Sequence, residues 1–347
     1  MQNASYNKCN MTRRHGLSTS LFFALLVIMA CSLACSKQAQ TSSAAPIGDK
    51  STVMASTLPS TGPAAPAAGS DRGAPKAEIN GNHVMQYVKE VVAFGSRPPG
   101  SAAHAKLEQY IVAKLKGIDV EQDKFTAQTP VGKFPVDNII AKFPGKKDGI
   151  IVVAGHYDTN YPLPKSYVGA NDGGSSTALL LALADHFRGK PLDGYSIWLV
   201  WTDAEEAFVR WQGTDNDYGS RQLAAKWQQD GTAKKIKALL LVDMIGDADL
   251  DIQKDTNSTP WLSDLVYQAA SNLGYQSHFY ELQGPIEDDH LPFLKIGVPS
   301  VDIIDLDYGY NNVFHHTPAD TIDKLSPQSL AISGDVVLET IRLLNAR

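Results

Sequence analysis

Three clusters of polar side chains, His156 with Asp158, Asp203 with Glu205 and Glu206, and Asp243, each follow at once on an almost wholly apolar run, at 150–154, 197–201 and 238–242. Asp172 stands in Gly169-Ala170-Asn171-Asp172-Gly173-Gly174, and His316 in His315-His316-Thr317-Pro318-Ala319-Asp320. Singly, each has an ordinary explanation. A histidine after a strand usually packs or meets solvent, and paired glutamates usually face water. Asp172 is well placed to cap a helix, and His316 to sit in the turn before Pro318. Jointly, Asp172, Glu206 and His316 offer two carboxylates and an imidazole, with His156 and Asp243 in reserve and no thiolate in competition. Such oxygen and nitrogen donors suit zinc. Three protein ligands leave a fourth position open, where the ion polarises a carbonyl or activates a water. Glu205, adjacent to Glu206, cannot easily share its ligand geometry and is expected beside the open position, where a general acid/base belongs.

For these clusters to meet, the three apolar runs must be strands of one sheet. Runs so short and so continuously apolar suit central strands covered on both faces. Parallel strands of an open α/β sheet present their carboxyl ends to a common rim, where ligands bind. Helical periodicity marks 84–94 and 104–115, and two antiparallel strands are expected at 120–127 and 138–143. Further helices are expected at 175–187, 219–227 and 262–273, a fourth core strand at 298–304 and a closing helix at 327–344. The expected fold class is α/β, a single globular domain with a mixed, mostly parallel central sheet sandwiched by helices.

The chain has 347 residues, 43% hydrophobic and 20% charged, with 27 Gly, 19 Pro and a formal charge of -6. That balance excludes a fibrous, wholly disordered or polytopic membrane protein. With 31 Lys+Arg against 37 Asp+Glu, no basic excess is left to neutralise a phosphate backbone, and no nucleic-acid partner is expected. The three cysteines, Cys9, Cys31 and Cys35, all lie near the N-terminus, so the body of the chain has neither a disulfide framework nor a cysteine-zinc site. Arg13, Arg14 and His15 precede an apolar run from Leu21 to Ala34, too short to span a membrane, and small residues stand before Cys31 and Cys35. Residues 1–35 therefore resemble a bacterial lipoprotein signal, with one cysteine acylated after cleavage. Residues 36–76 read as an Ala/Ser/Pro-rich tether, and 77–347 as the catalytic domain. The expected location is exported, periplasmic or cell-envelope, with membrane contact only through a lipid anchor, and a monomer is expected.

The order His156-Tyr157-Asp158, Asp172, Glu205-Glu206, Asp243, His316-Thr317-Pro318 resembles the zinc aminopeptidases of family M28. Within them, several stretches resemble the glutaminyl cyclases, the glutaminyl-peptide cyclotransferases of animal type and their bacterial relatives. These are Phe94-Gly95-Ser96-Arg97-Pro98-Pro99-Gly100-Ser101, Asp203-Ala204-Glu205-Glu206-Ala207-Phe208 with Trp211, Tyr218-Gly219-Ser220-Arg221, Asp243-Met244-Ile245-Gly246-Asp247 and Asp288-Asp289-His290-Leu291-Pro292-Phe293. The segment containing Trp211, between the glutamates and Gly219-Ser220, separates the cyclases from the aminopeptidases.

The resemblance implies one zinc on Asp172, Glu206 and His316, with His156 and Asp243 beside it as ligands only of a two-metal site. It implies cyclisation of N-terminal glutamine of peptides or proteins to pyroglutamate, with Glu205 as acid/base, Asp243 and Asp288 in its hydrogen-bond network, and Trp211 as an apolar wall. Without the resemblance, Asp288 and Asp289 read as a helix-capping pair. Glu287 stands where the animal enzymes carry glutamine, and His315 where they carry tryptophan; both are expected to line the pocket and bind substrate. Two alternatives are an M28-type aminopeptidase with two zincs and a binding domain without metal. The complete ligand set and Glu205 argue against the second.

Overall fold

Alternation of apolar runs with amphipathic stretches produces a layered molecule in the computed structural model, which describes residues 78–161 and 163–347. The expected signal, with its cysteines, and the expected tether lie outside the described residues. Helices α1 (Gly81–Val92) and α2 (Ala102–Lys114) lead into an antiparallel hairpin of β1 (Asp119–Thr129) and β2 (Gly132–Phe143). Then follow β3 (Gly145–His156), α3 (Gly174–Phe187), β4 (Leu192–Thr202), α4 (Tyr218–Asp230) and β5 (Ile236–Asp243). A small parallel pair, β6 (Ile252–Asp255) and β7 (Phe279–Gly284), brackets α5 (Pro260–Leu273). The chain ends through α6 (His290–Lys295), β8 (Ser300–Ile304) and α7 (Pro327–Asn345).

The main sheet has the order β1-β2-β4-β3-β5-β8. β4, β3, β5 and β8 run parallel, and β2 joins β4 antiparallel. The period of two along each strand divides the core. Ile151, Val153, Leu199, Leu240 and Ile303 pack with α1, α3, α5 and α7 on one face. Val152, Ala154, Val200, Leu239 and Leu241 pack with Leu223 and Trp227 of α4 and Phe293 of α6 on the other. Both faces are therefore covered, which is why the central runs are apolar at every position. From β3 the chain passes to β4 on one side and later to β5 on the other. This reversal opens a crevice at the carboxyl ends of β3 and β5, where ligands bind in such sheets. Among the described residues no helix is long and apolar enough to cross a membrane.

Candidate active site

His156 is the last residue of β3 and Asp243 the last of β5. Both are buried, and His156 Nε2 lies 3.2 Å from Asp243 Oδ1 and 3.1 Å from Asp172 Oδ1. Asp172 comes from the loop after β3, two residues ahead of α3. It does not cap that helix: the cap position is Gly173, which makes no side-chain cap bond. Gly173 has φ +70, and a Cβ there would stand 2.6 Å from the Asp158 carbonyl oxygen. Glycine is needed to bring this loop against the end of β3. Asp320 fixes the loop from outside, accepting from the Asn171 N–H at 2.8 Å and the Asp172 N–H at 3.2 Å.

After β4 the chain turns sharply through Ala204, at φ +53, and the Asp158 carboxylate accepts from the Glu205 and Glu206 N–H groups at 3.2 and 3.3 Å. Met244 and His316 also have positive φ. Strained backbone of this kind concentrates at sites whose surroundings over-determine it. The His316 Nε2 stands 3.0 Å from Glu206 Oε1 and 3.2 Å from Asp172 Oδ2. The Tyr167 hydroxyl donates to Asp172 Oδ2 at 2.5 Å, and Asn160 Nδ2 donates to Glu206 Oε2 at 2.8 Å.

These spacings fit a zinc site. Donors at ordinary zinc bond lengths in tetrahedral arrangement stand about 3.3 Å apart, close to both His316 separations. Asp172 forms compact donor groups with His315 and His316 on one side and with His156 and Asp243 on the other; Glu206 joins the first through His316. His315 is farther out, its Nε2 3.9 Å from Asp172 Oδ2 and its Nδ1 facing Asn312 Nδ2. That ordering favours His316 as the ligand.

The charge balance carries the same signature. Burial works against a proton on His316, yet Glu206 and Asp172 push its pKa up to about 11. A proton held among these donors stands where a bound cation would. Burial would raise the Asp172 pKa, but hydrogen bonds from His156 and His316 hold it well below the carboxylate range. Glu205 behaves oppositely: burial, reinforced by repulsion from Glu206, Asp288 and Asp289 and opposed by His156, raises it well above the usual value.

Asp172, Glu205, Glu206, Trp211, Asp243, Glu287, Asp288, His315 and His316 all line one cavity of about 440 Å³, with His156 buried behind it. Trp211 is half-buried in that wall, outside the core. Its loop is closed by Asp215, which accepts from the Phe208, Val209 and Arg210 N–H groups, and by Phe208 packed on Phe134 and Tyr218. A larger cavity of about 780 Å³ lies between the start of β4 and the end of α7. Its acids are engaged within the chain: Asp335 Oδ1 accepts from the Glu78 and Ile79 N–H groups at 2.8 Å, Glu339 pairs with Arg342, Asp193 with Lys146 and Glu78 with His186.

Asp289 occupies the cap position of α6 but makes no cap bond, and its carboxylate accepts from the Thr202 hydroxyl. Asp288 Oδ1 accepts from the Asp289 N–H, leaving its buried Oδ2 without a partner. Sequence reasoning missed Asp302, buried in β8 with both oxygens unpartnered; a carboxylate inside the run Ser300–Ile304 was the available signal. Arg97 and His104 were also missed as supports. The fully buried Arg97 guanidinium donates to the carbonyls of Tyr157, Val168, Gly169 and Asp172. His104 of α2 places Nε2 2.6 Å from Asp203 and Nδ1 3.2 Å from Glu108. Its two nitrogens face different carboxylates, which makes it an imidazolium clamp rather than a second metal centre.

Residues 138–341 match peptidase family M28. The chain is 32% identical over 280 residues to a glutaminyl-peptide cyclotransferase of Drosophila melanogaster, covering 72% of this chain and 78% of that one. A solved glutaminyl cyclase from an Acidobacteriales bacterium superposes with a TM-score of 0.77 at 50% identity, over 82% of this chain and all (100%) of that one. A Zn-dependent exopeptidase from Parabacteroides distasonis ATCC 8503 gives 0.68 at 25% identity, over 79% of this chain and 100% of its own. The protein belongs to peptidase family M28 and, within it, to the glutaminyl-peptide cyclotransferases.

Proposed function

We propose that this chain closes the N-terminal glutamine of peptides or proteins into pyroglutamate, releasing ammonia, and that it does so with one zinc ion. The observation that carries the reading is the shared cavity. A buried carboxylate outside the donor cluster, Glu205, lines the same small space as Asp172, Glu206 and His316, with Trp211 on its wall and Asp288 beside it. In the reaction a bond forms between the α-nitrogen and the γ-carbonyl carbon, and the bond from that carbon to the amide nitrogen breaks. One proton passes from the attacking amine to the departing ammonia.

Asp172, Glu206 and His316 would hold the zinc, which supplies Lewis acidity toward a carbonyl when bound. Glu205 takes the proton from the amine and returns it to the leaving nitrogen. Trp211 holds the glutamine methylenes so that amine and amide carbon stay within attacking distance. Asp288, with Asp243 behind it, sets the protonation of Glu205 through the proximity of carboxylates. His315 and Glu287 flank the mouth.

The group His156, Asp172 and Asp243 favours a second reading, a two-zinc aminopeptidase. The purified protein incubated with a glutamine dipeptide and, separately, a leucine dipeptide distinguishes the two by mass spectrometry. Loss of ammonia from the intact glutamine peptide, with one zinc per chain by metal analysis, is expected. Release of free leucine with two zincs, and no cyclisation, would replace this proposal by the aminopeptidase.

A further inference from the structure

We propose that the mouth of this pocket selects peptides with a positive charge on the residue after the glutamine, and that the exposed carboxylate of Glu287 makes the selection. The inference rests on the cyclase reading above. Of the side chains lining the cavity, Asp172, Glu205, Glu206, Asp243, Glu287 and Asp288 are acidic and none is lysine or arginine. Five of the six carboxylates are buried among the donor groups or against one another. Glu287 alone is exposed, and it forms no ion pair among the described residues.

Its position is fixed by its neighbours. The Ile286 N–H donates to Asp255 Oδ1 at 2.9 Å, and Asn257 Nδ2 donates to the Ile286 carbonyl at 2.8 Å. On the other side the Asp288 carboxylate accepts from the Asp289 N–H, and the Asp288 carbonyl accepts from the Leu291 N–H at 2.9 Å. Backbone held on both flanks fixes the root of the Glu287 side chain, which is exposed and lines the cavity. The geometry of cyclisation supplies the other half of the argument. The amine and side chain of the glutamine are both consumed inside the cavity, so its own carbonyl and everything after it must leave through the mouth. The second side chain of the peptide therefore passes Glu287. An exposed pair of opposite charges is worth about a two- to fivefold change in affinity, and a like-charge pair disfavours by a similar factor.

The test compares kcat/KM of the full-length, zinc-loaded protein on Gln-Lys-Phe-amide, Gln-Ala-Phe-amide and Gln-Glu-Phe-amide. The expected order is lysine above alanine above glutamate, spanning about tenfold, carried by KM and compressed at high salt. Glu287→Gln should collapse the lysine-to-glutamate ratio toward one, and Glu287→Lys should invert it; the exposed position makes misfolding of either variant an unsuitable explanation. Equal kcat/KM for the three peptides, or a ratio unchanged in Glu287→Gln, overturns the selection while leaving the cyclase reading in place. Failure of all three peptides to cyclise removes that reading and this proposal with it.

Discussion

Asp172 is shared between two halves of the site, one oxygen toward His156 and the other toward His316 and Tyr167. A carboxylate used on both sides ties the two parts of the cavity together, and in the proposed mechanism Glu205 and Glu206, neighbours in sequence, take separate roles. Glu206→Gln is expected to lose zinc by metal analysis. Glu205→Gln is expected to keep it and to lose on the order of 10²- to 10⁴-fold in kcat. Full activity of Glu205→Gln would sink the mechanism. The candidate donors were legible in the sequence because each follows an apolar run or stands in a glycine- or proline-marked turn. The contacts that orient them were not. Asp158 stood out beside His156, but its hold on the Glu205 and Glu206 N–H groups did not, and Tyr167 and Asp320 act through contacts that only the closed loops create.

At the scale of elements, the site is a set of turns clamped from below. His104 carries the clearest load, joining α2 to Asp203 at the exit of β4 and stacking on Tyr157 at 5.1 Å. Burial alone would lower its pKa, but Asp203 and Glu108 outweigh it and raise the group from 6.5 to about 9. A raised histidine contributes stability that is complete below about pH 6.5 and is lost as pH climbs through about 9, here worth up to about 3 kcal/mol. Urea midpoints should therefore fall between those pH values more steeply in the wild type than in His104→Gln. Identical slopes would show that the clamp is not charged. The core strands and long helices were visible in the sequence because burial on both faces, or on one stripe, leaves a pattern. β6, β7 and α6 left none: four to six residues are too few for a period to show, and β7 is mostly exposed.

For the whole molecule, the location of the chemistry is a proposal that rests on the N-terminal sequence. We propose export and acylation at Cys31 or Cys35. Cells fed labelled fatty acid should yield labelled protein in the detergent phase, and Cys→Ala at one of the two positions should abolish the label; an unlabelled wild type would refute the anchor. The donor set has its own consequence for maturation. Asp172, Glu206 and His316 come from three separate loops, and 110 residues separate Glu206 from His316. With Asp172, Glu206 and His316 as the proposed donor set, the site is complete only once the last of the three loops is in place. A chain that holds zinc on these three residues would fold its C-terminal third before it is fully loaded, and would draw the metal from the compartment in which that third folds.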